Sequence, residues 1–231
     1  MQEEIEKIYE DENILLLNKP SGLVVNRSNT YQGVTLQDII EERYLDMKKF
    51  EDEEFVSRSG LVHRLDKDTS GIILVAKNID AFKYLQKQFK ERNIFKEYVA
   101  VVHGRIEDEI TEIDAPLSRN PNYPLRIAIV SSGRTALTRI EKDKVVEIED
   151  ETYTLVKVFP KTGRTHQIRV HLSAINHPIV GDKIYCTKKL LESGLKSFKR
   201  LMLHAHTLGF SDPKSHKFVR FEAKIPVEFK I

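Results

Sequence analysis

The chain has 231 residues, 40% of them hydrophobic, with a formal net charge of +2, one cysteine and no tryptophan. That apolar content supports a core without covalent staples, and a lone Cys186 excludes both an internal disulfide and a multi-cysteine zinc site. The acidic opening MQEEIEKIYEDE is unlike a transit peptide, and no apolar run approaches the roughly 20 residues that cross a bilayer, which points to a cytoplasmic protein.

Strand patterns open the chain at IEKIYE and ILLLNK, runs rich in β-branched and aliphatic residues. A helical pattern follows in VTLQDIIEERY, then a strand in GIILVAK. NIDAFKYLQKQFKER places Ile79, Phe82, Leu85 and Phe89 on one helical face. Strands are predicted next in KEYVAVVHG, RTALTRIE and TYTLVKVF, helices in THQIRVHLSAIN and TKKLLESGL, and strands again in RLMLHAHTLGF and KFVRFEAKI. Strands in succession, without a regular strand–helix rhythm, predict an α+β fold: a mixed, largely antiparallel central sheet flanked by helices. No repeat, low-complexity tract or Gly/Ser linker interrupts it, so residues 1–231 read as a single domain.

Charge is distributed in blocks. Lys and Arg against Asp and Glu number 6 to 14 over residues 1–55, 10 to 5 over 56–105, 6 to 11 over 106–152 and 15 to 5 over 153–231. If the two basic blocks fold side by side they form a polyanion-binding face, with the acidic blocks behind.

Three polar constellations interrupt the apolar framework. HRLDKDTSG, residues 63–71, sits just before a predicted strand, a position where catalytic groups are mounted on a rigid element. Locally, Asp66 and Asp68 are also turn formers. The second constellation is the Tyr98 strand. The third, FPKTGRTHQIRVHLSAINHPIVGD at 159–182, gathers Lys161, Arg164, His166, Gln167, Arg169 and His171 around a predicted helix start, where Thr162 or Thr165 is placed to cap and exposed amides favour an anion.

HRLDKDTSG, KEYVAVVHG, TGRTHQIRVH and RLMLHA, in this order and spacing, resemble the signature set of the RluA-type RNA pseudouridine synthases. The likeness runs from IYEDENILLLNKPSGLVV to FEAKIPVEF and matches the catalytic-domain-only members, which lack an S4 domain. It implies the pseudouridine synthase fold, an active-site cleft across the sheet, and no metal or other cofactor. The implied reaction acts on uridines of structured ribosomal or transfer RNA. The bond from ribose C1′ to uracil N1 breaks, the base turns, and C1′ is rejoined through C5. Asp66 matches the catalytic aspartate, as nucleophile or as base on the ribose. Tyr98 matches the active-site tyrosine and Arg169 the arginine that pairs with the aspartate. Arg64 matches the residue at the flipped nucleotide, and Arg164, His166, Gln167 and Lys19 are implied RNA or cleft contacts. A monomer is the expected state.

Three rival readings accompany this one. His204 and His206 alternate on a strand, with His166 and His171 near in sequence to each other, as a metal site would require. Asp66 and Asp182 are two carboxylates, as in a glycoside hydrolase, although that chemistry commonly employs tryptophan platforms absent here. The third is a non-catalytic RNA-binding or ribosome-assembly protein of the same fold.

Overall fold

The computed structural model describes residues 5–123 and 126–231. Its regular elements begin with β1 (Glu6–Glu10), β2 (Ile14–Lys19), α1 (Leu36–Arg43), α2 (Glu53–Arg58), β3 (Ser70–Ala76) and α3 (Ile79–Glu91). They continue with β4 (Phe95–His103), β5 (Ile110–Asp114), β6 (Leu117–Arg119), β7 (Ile127–Ile129), β8 (Leu137–Ile148) and β9 (Glu151–Pro160). The last are α4 (Gln167–Ala174), α5 (Lys188–Ser197), β10 (Leu203–Ser211) and β11 (Phe218–Glu222). The expected α+β class, with a largely antiparallel sheet, is the class observed.

Two compact units divide the chain. The first takes in the described residues up to Phe95 together with His206–Lys224, and the second comprises Lys96–Ala205 and Ile225–Ile231. The chain passes between them inside β10. In the first unit the strand order is β1-β2-β3-β10, with β11 on β10. Ile14 to Leu17 and Ile73 to Ala76 are fully buried, which is why ILLL and IILVA read as continuous apolar runs rather than alternating ones. Antiparallel register sets Lys19 opposite Gly71, at the foot of the HRLDKDTSG loop.

Local sequence explains the helices of this unit. Thr35 and Asp38 form a reciprocal capping box at α1, satisfying two otherwise orphaned amides. Asn78 caps α3 by accepting from Ala81 N–H at 2.9 Å, and Arg92, at φ 64°, turns the chain out of it. Phe82 and Leu85 bury the predicted face of α3, which packs on β3.

In the second unit the order is β10-β4-β9-β8-β5. β8 and β9 form one long hairpin around Glu149 and Asp150, at φ 50° and 64°, the left-handed pair that a tight two-residue turn requires. Val101, Val102, Val156, Leu172, Ile179 and Met202 lie in its core. The short α2, β5, β6 and β7 were not predicted from the sequence.

Two buried histidines give this unit a pH dependence. His171 bonds Thr138 Oγ1 at 2.9 Å and the Ala115 carbonyl at 3.0 Å, whereas His103 Nε2 has no hydrogen-bond partner among the described residues. Burial lowers the pKa of both. The unfolded chain therefore takes up protons below about pH 6.5 that the fold resists. Their contribution is complete above that pH and is lost as pH falls through the unfolded value toward the folded one. Denaturant titrations at pH 7.5 and 5.5 should show lower stability at 5.5. His103→Phe should narrow that difference, and an unchanged difference would remove His103 from the account.

Candidate active site

The loop bearing Asp66 is held mainly through its backbone. At its start, Gly60 sits at φ 72°, and a Cβ there would lie 2.1 Å from the Ala76 carbonyl oxygen, so only glycine lets the chain approach β3 so closely. His63 Nε2 accepts the Leu74 N–H at 2.9 Å while its ring stacks on Phe89 at 4.8 Å; that nitrogen is therefore unprotonated. Leu65 is buried beneath the loop. Thr69 N–H then bonds the Asp66 carbonyl at 3.2 Å, closing a tight turn over Lys67 and Asp68. The side chain of Asp66 is half-buried, that of Arg64 exposed.

Lys19 supplies the strongest restraint. Its side chain is 0% exposed, and Nζ donates to the carbonyls of Pro20, Leu23 and Lys67 at 2.9, 2.9 and 3.0 Å. Gly22 N–H also reaches the Lys67 carbonyl, at 2.9 Å, and Ser21 Oγ the Asp68 carbonyl, at 2.7 Å. The segment KPSG thus grips the main chain on the C-terminal side of Asp66. The ammonium of Lys19, expected at the cleft, is buried in this tie.

Tyr98 lies half-buried on β4, paired in register with Val158. Two residues earlier on this strand, Lys96 Nζ reaches the Thr162 carbonyl at 3.1 Å, so β4 is tied to the TGRTH segment. Neither Thr162 nor Thr165 caps α4. The N-cap is His166, at φ 53° and without a side-chain cap bond. Thr162 instead donates to Gln167 Oε1 at 2.6 Å, and Gln167 Nε2 donates to the Leu137 carbonyl and to Thr138 Oγ1. Thr138 continues the chain of bonds to His171. Gln167 is 3% exposed; its amide fastens α4 to β8. Arg164 and His166 keep partial exposure, with Arg164 Nε on the Thr135 carbonyl and His166 Nδ1 on Tyr185 Oη.

Arg169 is 5% exposed and pairs side-on with Asp182, Nε to Oδ2 at 2.7 Å and Nη2 to Oδ1 at 2.8 Å. Asp182 is itself 1% exposed and also accepts the N–H groups of Ile184 and Tyr185. Its carboxylate is spent within the protein, so Asp182 is no second carboxylate for a glycosidase. Sequence reasoning did not assign it to Arg169, although an Asp directly after Gly181, in GDKIY, carries the signal of an Asx turn. Removing one partner of such a buried pair costs about 3–5 kcal/mol.

The sequence reading also missed an arm. Residues 116–136 contain Arg119, Arg126 and Arg134 and no carboxylate, inside a block that is acidic overall. β6 and β7 form a separate two-stranded sheet here, with Tyr123 62% exposed and Arg126 over its ring. Ile127 N–H donates to Tyr185 Oη at 2.9 Å, joining the arm to the turn that follows α4. Among the described residues, no group of three or more His, Cys, Asp or Glu is placed to hold a metal ion. Three rings of the rival metal reading bond protein groups, His206 the Ala223 carbonyl, His171 that of Ala115 and His166 the Tyr185 hydroxyl.

Human RNA pseudouridylate synthase domain containing 1 superposes with a TM-score of 0.77 at 29% identity, covering 97% of this chain and 84% of that one. Human RNA pseudouridylate synthase domain containing 4, at 22% identity and TM-score 0.70, shares the fold. The architecture is that of a pseudouridine synthase domain. Residues 13–174 match the RNA pseudouridylate synthase family, and the chain belongs to it; it is an RNA pseudouridine synthase, an isomerase whose substrate is RNA. It is 41% identical over 214 residues to dual-specificity RNA pseudouridine synthase RluA of Vibrio parahaemolyticus, covering 90% of this chain and 78% of that protein. To ribosomal large subunit pseudouridine synthase D of Pseudomonas aeruginosa it is 37% identical over 235 residues, covering 98% and 70%. No helix among the described residues is long and apolar enough to cross a membrane.

Proposed function

We propose that the enzyme isomerises particular uridines of structured ribosomal or transfer RNA, as a cytoplasmic monomer whose two compact units work as one catalytic domain. Asp66 is the carboxylate at ribose C1′, as nucleophile or as base on the ribose, and Arg169 is the arginine that pairs with it. Tyr98 stacks on the detached uracil, with its hydroxyl toward C5. Arg64 occupies the space vacated by the flipped nucleotide, while Arg164 and His166 hold RNA phosphates or base edges. The observation that carries the reading is the Asp66 turn, gripped through the Lys67 and Asp68 carbonyls by Lys19 and Ser21. A carboxylate mounted in this way is positioned before substrate arrives. The names of the relatives, one dual-specificity and one acting on the large ribosomal subunit, support ribosomal RNA as a substrate.

Forming the C1′–C5 bond leaves the C5 hydrogen surplus, and the ring regains its conjugation only when that hydrogen leaves to water. An unmodified pool of ribosomal and transfer RNA with tritium at uridine C5 should release label without added nucleotide or reductant. The polymer should remain intact and no free uracil should accumulate. Background release by folded, RNA-binding protein would overturn the catalytic assignment in favour of the binding-protein reading.

A further inference from the structure

Arg169 is aimed by its surroundings more than by its own helix. A guanidinium has two useful edges, and the side-on pair with Asp182 occupies the one formed by Nε and Nη2, at 2.7 and 2.8 Å. Rotation about the Cδ–Nε bond would break both bonds, so the direction of the opposite edge is set by the position of Asp182.

That position is itself fixed. Asp182 Oδ1 takes the N–H groups of Ile184 at 2.9 Å and Tyr185 at 3.1 Å, and Asp182 N–H bonds the Ile179 carbonyl at 3.2 Å. The preceding Gly181, at φ 77°, would carry a Cβ 2.1 Å from the Arg200 carbonyl oxygen. The Tyr185 ring lies 5.2 Å from the guanidinium carbon of Arg169 and packs with Leu117, Ala136 and Val170. Carboxylate and ring thus hold the guanidinium from its edge and from its face.

We propose that Asp182 is a positioning residue of the synthase reaction, aiming the guanidinium of Arg169 at the reacting carboxylate. The proposal rests on the reading of Arg169 given above. Asn at 182 keeps an oxygen for the two backbone amides, but it turns an NH2 group toward an N–H of Arg169. The clamp is lost while side-chain volume stays the same.

The test is single-turnover release of C5 tritium at saturating RNA, with RNA affinity from filter binding and folding from thermal melts. Asp182→Asn should slow release about 10- to 100-fold while changing affinity less than about threefold. Arg169→Lys, which keeps a charge for Asp182 but has no second edge to aim, should be slowed to a similar extent. Adding Asp182→Asn to Arg169→Lys should cost less than about threefold more, because two residues acting through one interaction are non-additive. Wild-type release by Asp182→Asn, or a double variant in which the two losses multiply, overturns the proposal. If Asp182→Asn does not fold, wild-type release by Arg169→Lys overturns it alone. Arg169→Met tests the underlying reading separately: wild-type release there removes Arg169 from the reaction, whereas slow release beside a fast Asp182→Asn removes only the aiming role.

Discussion

Asp66→Asn is expected to lower product formation by about 10³-fold or more, while RNA affinity stays within about threefold of wild type. The substitution exchanges a carboxylate for an amide of the same shape. It leaves in place the bonds that reach the carbonyls of Asp66, Lys67 and Asp68. A folded protein that binds RNA and does not turn over is therefore the expected product, read by tritium release alongside filter binding. Asp68→Asn is the control. Its backbone contribution to the turn survives, so it should lose less than about tenfold. Comparable turnover by Asp66→Asn and wild type would sink the assignment.

Lys19→Met is expected to lower stability by about 2–3 kcal/mol, with a drop of about 100-fold in turnover. Methionine matches the lysine stem in length and relieves the cost of burying an ammonium, which opposes the loss. It also strips a donor from the carbonyls of Pro20, Leu23 and Lys67, each about 1–3 kcal/mol if left unsatisfied. The turn carrying Asp66 then loses its cross-link to the end of β2. Denaturant melts and single-turnover rates, taken at a temperature where both proteins are folded, measure the two effects. A variant that melts and turns over like wild type would show that the ammonium does not hold the loop.

What could be read from the sequence depended on how local each cause was. β2 and β3 announce themselves because burial on both faces forces unbroken aliphatic runs, and α1 and α3 because capping and periodicity lie within a few residues of each other. By contrast, α2 buries one residue, Phe55, in six. β5 exposes Ile110 and owes its extended form to pairing with β8, while β6 and β7 are three residues each. Such elements are shaped by partners distant in sequence.

The site divides in the same way. Asp66, Tyr98 and Arg169 stand out through motif resemblance, but the internal bonds of Lys19 and Gln167 were not foreseen. A polar side chain in a polar run looks alike whether it faces solvent or a carbonyl 48 residues away, as Lys19 faces Lys67. Asp182 was overlooked for a related reason. Its partner lies 13 residues upstream, across a loop that only folding closes.

The grip on the Asp66 turn has a consequence for how this scaffold can diversify. Lys19, Gly22 and Ser21 fasten to main-chain oxygens, which every amino acid carries. The exposed side chain at 67 can then be exchanged without disturbing the anchor of the aspartate beside it. Descendants of one ancestral enzyme can thereby acquire new RNA targets by drifting at this position, while the reaction is inherited unchanged.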